Sequence, residues 1–66
     1  MNTLLISERI GTCLVHTFAA GEAWAVVIGP LPRLTVNFVS SVPSRYELEL
    51  LCELHAGVWA ARERRN

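Results

Sequence analysis

Four apolar runs, separated by glycine and proline, occupy the first 41 residues and restrict this part of the chain to short strands joined by tight turns. The runs are TLLIS from Thr3, TCLVHTFA from Thr12, AWAVVI from Ala23 and LTVNFVS from Leu34. They are rich in β-branched and aromatic residues, which favour strands. The intervening ERIG, AGE and GPLPR segments are short enough to join antiparallel neighbours. The pattern predicts a four-stranded antiparallel meander.

The pattern changes at Pro43, after which the sequence carries the signals of a helix. SRYE, from Ser44 to Glu47, is a capping box, in which the serine and the glutamate each bond the backbone N–H of the other. Glutamates dominate the first half of the segment and arginines its end, as the helix dipole favours. We therefore predict a helix that runs to about Arg64. Gly57 lies inside it, at a cost of about 1 kcal/mol relative to alanine.

The length of 66 residues allows one small core. We predict a single α+β domain over residues 1–66, in which the C-terminal helix packs across one face of the sheet. A chain this short buries about 60% of the surface that its unfolded form exposes, so it is marginally stable without a disulfide, a metal or a second subunit.

The predicted helix carries more apolar surface than one sheet can cover. Its apolar side chains span roughly 200°, whereas packing on one sheet needs little more than about 100°. The edge expected to face the sheet consists of Leu50, Leu54 and Val58, and the edge expected to face a partner consists of Leu48, Cys52, His55 and Trp59.

Alternation along the strands divides the sheet residues into two sets. The bulky set expected in the core is Leu14, Phe18, Trp24, Val26, Ile28, Leu34, Val36 and Phe38. The opposite set is Cys13, Val15, Thr17, Ala23, Ala25, Val27, Thr35, Asn37 and Val39. Which rows share a face depends on the strand register. The opposite set carries no charge, whereas a face in contact with water normally does, so it favours contact with protein.

The extra apolar surface of the helix and the uncharged face of the sheet together predict a non-catalytic protein–protein interaction module. A second copy of the chain is the first expected partner, because two-fold homodimers are the commonest small assemblies. Tryptophan and arginine dominate binding hot spots. The predicted contact residues are Leu48, Trp59 and Arg62 on the helix, Trp24 on the sheet, and Leu31 and Arg33 on the proline loop.

The small size and the lack of catalytic motifs are typical of phage or mobile-element proteins that inhibit or regulate a host protein complex, for example a defence system such as CRISPR–Cas. The sequence has no G-x-S-x-G, no phosphate-binding glycine loop and no H-E-x-x-H motif. We therefore predict neither an enzyme nor a cofactor.

A zinc site is one alternative, because C-x-x-H occurs twice, as Cys13 with His16 and as Cys52 with His55. Two cysteines and two histidines are a complete tetrahedral ligand set. A spacing of three places residues on one face of a helix but on opposite faces of a strand, so the first pair fits a strand poorly. The preferred interpretation makes the cysteines small apolar core residues, left as free thiols by a reducing cytoplasm.

Nucleic-acid binding is the second alternative, and it depends on an arginine cluster at the end of the chain. The candidate phosphate contacts are Arg45, Arg62, Arg64 and Arg65. Six arginines and six glutamates cancel, so the chain lacks the net positive charge of most nucleic-acid-binding domains.

The N-terminal sequence has no signal-peptide pattern, and no apolar run reaches the roughly 18 residues of a membrane span. These features predict a cytoplasmic protein with no membrane partner.

Overall fold

The strands and the helix follow the predicted order. The computed structural model describes residues 5–64. Its elements are β1 (Leu5–Ile10), β2 (Cys13–Ala20), β3 (Ala23–Gly29), β4 (Thr35–Val39) and α1 (Arg45–Arg64). The strands form one open antiparallel sheet in the order β1-β2-β3-β4. The predicted α+β meander with a C-terminal helix is confirmed.

The first strand differs from its prediction in position. Its predicted start, Thr3, lies outside the described residues, and the strand continues through Ile10, where ERIG was expected to form a turn. The turn is instead the pair Gly11–Thr12, since Ile10 pairs directly with Cys13.

Two-residue turns join β1 to β2 and β2 to β3. Gly11 and Gly21 each occupy the first turn position with positive φ, 61° and 66°. A glycine with positive φ at this position, followed by a residue with negative φ, belongs to the type II′ turn, whose twist matches that of the flanking strands.

The register places one residue of each pair at an odd position and the other at an even position. Val15 pairs with Ile28, and Ile28 with Thr35. Side chains alternate along a strand, so odd residues of β2 and β4 share a face with even residues of β3. This face packs against α1, and its most deeply buried side chains are Val15, Val26 and Ile28. We call it the helix-side face and the other the open face.

The capping box begins α1 as predicted. Ser44 Oγ accepts a hydrogen bond from the Glu47 N–H over 3.2 Å, and Glu47 Oε1 accepts one from the Ser44 N–H over 2.9 Å. The bond from the Ser44 N–H is the main cause that lowers the pKa of the Glu47 carboxyl. At the start of the helix, Arg45 Nη1 lies 3.1 Å from Glu8 Oε2 of β1.

The helix then crosses from the β1 side of the sheet towards β4. His55 bonds Thr35 of β4, and Trp59 reaches the residue before that strand. The segment between β4 and α1 must therefore pass over the same face, and its Pro43 is buried.

The predicted division of the sheet residues into core and exposed sets is wrong in two strands. In β2 the small and polar residues Cys13, Val15 and Thr17 are buried, whereas Leu14 and Phe18 lie on the open face. In β4, Val36 and Phe38 also lie on the open face. The register causes the exchange, because the assumed core set combined even residues of all three strands from β2 to β4.

The helix also turns the opposite edge to the sheet from the one expected. Leu48, Cys52 and His55 are buried, and Trp59 is half-buried. The edge that was expected in the core is exposed, and it consists of Leu50, Leu54 and Val58. The apolar excess of the helix is therefore present, but on its outer side.

Candidate functional site

The open face of the sheet is apolar, and no element among residues 5–64 packs over it. One row crosses all four strands, since Leu5 pairs with Phe18, Phe18 with Ala25, and Ala25 with Phe38. Phe38 is 68% exposed, and Leu5 is exposed at the other end of the row. Ala25, between the two phenylalanine rings, is buried although none of the described elements lies over it.

The next row continues the same surface. Ser7, His16, Val27 and Val36 lie side by side, and Ser7 Oγ bonds His16 Nδ1 over 2.8 Å. Beyond them, Arg9 carries the single formal charge among the described strand residues of this face. A face so poor in charge is suited to contact with protein.

The outer side of α1 forms a second apolar surface, separated from the open face by the sheet itself. We call it the helix flank and define it as Leu50, Leu54, Gly57, Val58 and Ala61. Leu54 is 64% exposed, and all five residues are exposed. Their spacings of three and four residues place them along one stripe of the helix.

The sequence-predicted contact residues do not share one surface. On the helix, Leu48 is 5% exposed and belongs to the core, while Trp59 is half-buried and its Nε1 donates to the Leu34 carbonyl over 3.3 Å. The Arg62 guanidinium lies 5.1 Å from the centroid of the Trp59 ring. Leu48 and Trp59 thus join α1 to the sheet instead of lying on the helix flank.

The remaining predicted contact residues lie elsewhere. Trp24 is half-buried on the helix-side face of β3. Leu31 is exposed on the proline loop, and Arg33 of the same loop forms a salt bridge with Glu63 of α1. Sequence reasoning missed Phe38 and Val36 as exposed residues because it assigned them to the core.

The four residues of the zinc alternative are not brought together. His16 is on the open face and Cys13 on the helix-side face, as their spacing on a strand predicts. Among the described residues, no group of three or more His, Cys, Asp or Glu side chains has the arrangement of a metal site.

The buried members of that set have other partners. Cys13 and Cys52 are neighbouring free thiols, and burial, reinforced by Cys13, raises the pKa of Cys52 to about 11. His55 Nδ1 and Thr35 Oγ1 form a 2.8 Å hydrogen bond, and burial lowers the pKa of this histidine. The cysteines are apolar core residues, and His55 joins the helix to β4.

A cleft of about 440 Å³ separates the proline loop from the second half of α1. Cys13 and His55 lie at its inner wall, and Trp59, Arg33 and Glu63 line its outer part. In this cleft, Arg33 and Glu63 are paired with each other, the Trp59 indole donates to the Leu34 carbonyl, and His55 bonds the Thr35 side chain.

Two of the four arginines of the nucleic-acid alternative have partners within the chain. Arg45 contacts both Glu8 and Glu49, at 3.1 and 3.2 Å, and Arg62 stacks on Trp59. Arg64 is exposed near the end of α1, and Arg65 lies outside the described residues.

No helix in the described part of the chain is both long and apolar enough to span a membrane. Comparison with protein-family models, curated proteins and solved structures finds no match to this chain.

Proposed function

We propose that this chain is a small non-catalytic protein-binding module and that the open face of its sheet contacts the partner. The observation that carries the proposal is the uncovered row from Leu5 to Phe38, with a ring exposed at its β4 end and a single charged strand residue, Arg9, on the described part of the face. Contiguous exposed apolar surface of this kind marks interaction sites in small domains.

The chemistry of the face supports protein in preference to other partners. Interface cores are poor in charge and rich in aromatic side chains, and Phe38 and Phe18 provide such anchors beside the small Ala25. Burial of this surface contributes roughly 25 cal/mol for each Å² removed from water. The face offers few groups that could bind phosphate, since its arginine lies at one end.

Two protein partners are proposed. One is a second copy of the chain, which would give a homodimer. The other is a host protein complex that the chain inhibits or regulates, as phage and mobile-element proteins of this size do. This second proposal depends on the small size and on the sequence without catalytic motifs.

Nucleic-acid binding fits the arrangement less well. Arg45 is held between two glutamates, and the Arg33 guanidinium is paired with Glu63. A phosphate would have to displace these carboxylates, and the formal net charge of zero gives no long-range attraction.

The test compares Phe38→Ser with Leu31→Ser. Both changes remove an exposed apolar side chain, but the first lies on the open face and the second on the proline loop. Tagged chains are expressed in bacteria, the captured protein is identified and purified, and its affinity for each variant is measured by calorimetry. We expect Phe38→Ser to weaken binding by about tenfold or more, which is the effect of removing a hot-spot residue. Leu31→Ser should leave the affinity unchanged.

Three results would contradict the proposal. Equal affinities for Phe38→Ser and the unmodified chain would exclude the open face. Loss of binding in Leu31→Ser alone would indicate that the proline loop, and not the open face, contacts the partner. Stoichiometric recovery of nucleic acid, with an affinity that falls steeply as salt is added, would favour the arginine alternative. Thermal melts of each variant establish that it is folded.

A further inference from the structure

The contacts among residues 5–64 give no reason for a glycine at position 57. It lies in the interior of a 20-residue helix, where glycine is about 1 kcal/mol less favourable than alanine. Apart from the two chain neighbours of Gly57 and the backbone of its own helix, a methyl group built on its α-carbon would have no atom of the described residues within 4 Å. Neither internal packing nor backbone conformation therefore requires a glycine here, since no positive φ occurs at this position.

The residues around Gly57 indicate which side chain could pack against it. It lies on the helix flank, three residues after Leu54 and four before Ala61. Along the line of the flank that runs through Leu50, Leu54, Gly57 and Ala61, the first half is large and the second half is small, and Val58 lies to one side of this line. A large half and a small half are complementary in shape when two copies of the flank run in opposite directions.

The charges at the two ends of the helix favour the same antiparallel arrangement. Glu47 lies in the first turn of α1 and Arg64 in its last, and both are exposed. Two parallel helices would place like charges together, whereas two antiparallel helices place each glutamate beside an arginine. Shape and charge therefore both select the antiparallel arrangement.

We infer that the helix flank pairs with the helix flank of a second copy of this chain, antiparallel about a two-fold axis between Leu54 and Gly57. In this alignment Leu54 packs over Gly57 of the second copy, Leu50 over its Ala61, and Glu47 lies beside its Arg64. Each contact occurs twice, as a two-fold interface requires. The inference rests on the homodimer within the proposed function, but it assigns that contact to the helix flank and leaves the open face for the other proposed partner, a different protein.

A contact along one pair of helices buries an area at the low end for stable interfaces, so the dimer should be weak and should form only at high chain concentration. The experiment is sedimentation equilibrium of the full chain up to about 1 mM, a range that detects weak association. The variant Gly57→Gln places a longer side chain where Leu54 of the second copy would pack. The matched control is Ala60→Gln, which makes a similar change at an exposed helix position outside the flank.

We expect a monomer–dimer equilibrium in the unmodified chain, a dissociation constant at least tenfold higher in Gly57→Gln, and a change below about twofold in Ala60→Gln. Because glutamine forms helices better than glycine, the helix content of Gly57→Gln should not fall. Weaker dimerisation without a loss of helix content would show that Gly57→Gln removes a contact and does not damage the fold. Arg64→Glu should also weaken the dimer, and more so at low salt, because it opposes Glu47 of the second copy.

A chain that stays monomeric at the highest concentration would overturn the inference, and so would equal effects of Gly57→Gln and Ala60→Gln. An unchanged dimer in Arg64→Glu would overturn the antiparallel alignment. A dimer that is lost in Phe38→Ser and kept in Gly57→Gln would assign self-association to the open face. A monomer that still binds its partner through Phe38 would leave the proposed function intact.

Discussion

Val15 and Leu14 are neighbours on β2, yet we expect the truncation of the smaller side chain to be the more damaging. Val15 is fully buried under α1, at 0% exposure, whereas Leu14 is half-buried on the open face. Val15→Ala removes two methyl groups, each contributing about 0.8 kcal/mol in transfer from water, and leaves a cavity that the helix cannot fill. The expected loss is about 2 to 3 kcal/mol.

Leu14→Ala removes three carbon atoms but encloses no cavity, because water can reach the open face. We expect it to lower the free energy of unfolding by about 1 kcal/mol. A domain of this size has a total of roughly 3 to 10 kcal/mol, so the two variants should differ clearly in urea midpoint. The measurement is urea unfolding followed by circular dichroism at low chain concentration, where association does not contribute.

A larger loss in Leu14→Ala than in Val15→Ala would refute the register-based assignment of the faces. The same result would place Phe18 and Phe38 in the core and would remove the basis of the proposed binding surface. Equal losses would mean that both faces are covered, as in a chain that dimerises through its sheet even at low concentration. Sedimentation at the same concentration would test that reading directly.

Other predictions concern the contacts that hold α1 in place. Ser44→Ala removes the acceptor of the Glu47 N–H and should lower the free energy of unfolding by about 1 kcal/mol, measured in urea, with Ser44→Thr as the control that keeps the cap. Burial raises the pKa of Cys52 from the ordinary 9.0 to about 11, so the contribution of this thiol to stability should be fully present below pH 9 and be lost as the pH rises through 11. Cys52→Ala should remove most of that slope, and an unchanged slope would argue against this thiol as its source. Burial lowers the pKa of His55, so its contribution should be present above its ordinary pKa and be lost as the pH falls below it; thermal melts of His55→Gln in acid should show a smaller dependence on pH.

The order of the elements could be predicted from sequence because its signals are local. Glycine at the turns, β-branched residues in the strands and the Ser44–Glu47 capping box each act within a few residues. No distant contact has to be known for any of them, which is why the meander and the helix start both agree with the structure.

The faces of the sheet could not be assigned by size alone. A two-residue turn at Gly21–Glu22 pairs odd residues of β2 with even residues of β3, whereas a turn one residue longer would pair like with like. The sequence pattern predicted the three-residue turn AGE, which is one residue longer than the turn in the structure. Bulk then suggested that Phe18 belonged with Ile28, although the observed register puts them on opposite faces.

The helix edge that faces the sheet was also beyond sequence reasoning. Both edges of α1 are apolar enough to be buried, and periodicity measures the width of the apolar arc without selecting one side. The choice is made by tertiary contacts that are distant in sequence. His55 meets Thr35 across 20 positions, and the Trp59 indole meets the Leu34 carbonyl across 25.

The thinness of the core connects the stability of this chain to its proposed partners. From the described part of α1, Leu48 and Cys52 are the buried hydrophobic residues, whereas Leu50 and Leu54 are exposed. A chain that placed these two leucines inward would bury more apolar surface by itself, so their outward placement gives up stability in the monomer. A partner that binds the folded chain and not the unfolded one restores stability in proportion to RT ln(1 + [L]/Kd). In the proposed helix-flank dimer, folding and binding would be coupled through these exposed leucines, and Gly57, which weakens the isolated helix, would be favourable because it leaves room for a second helix.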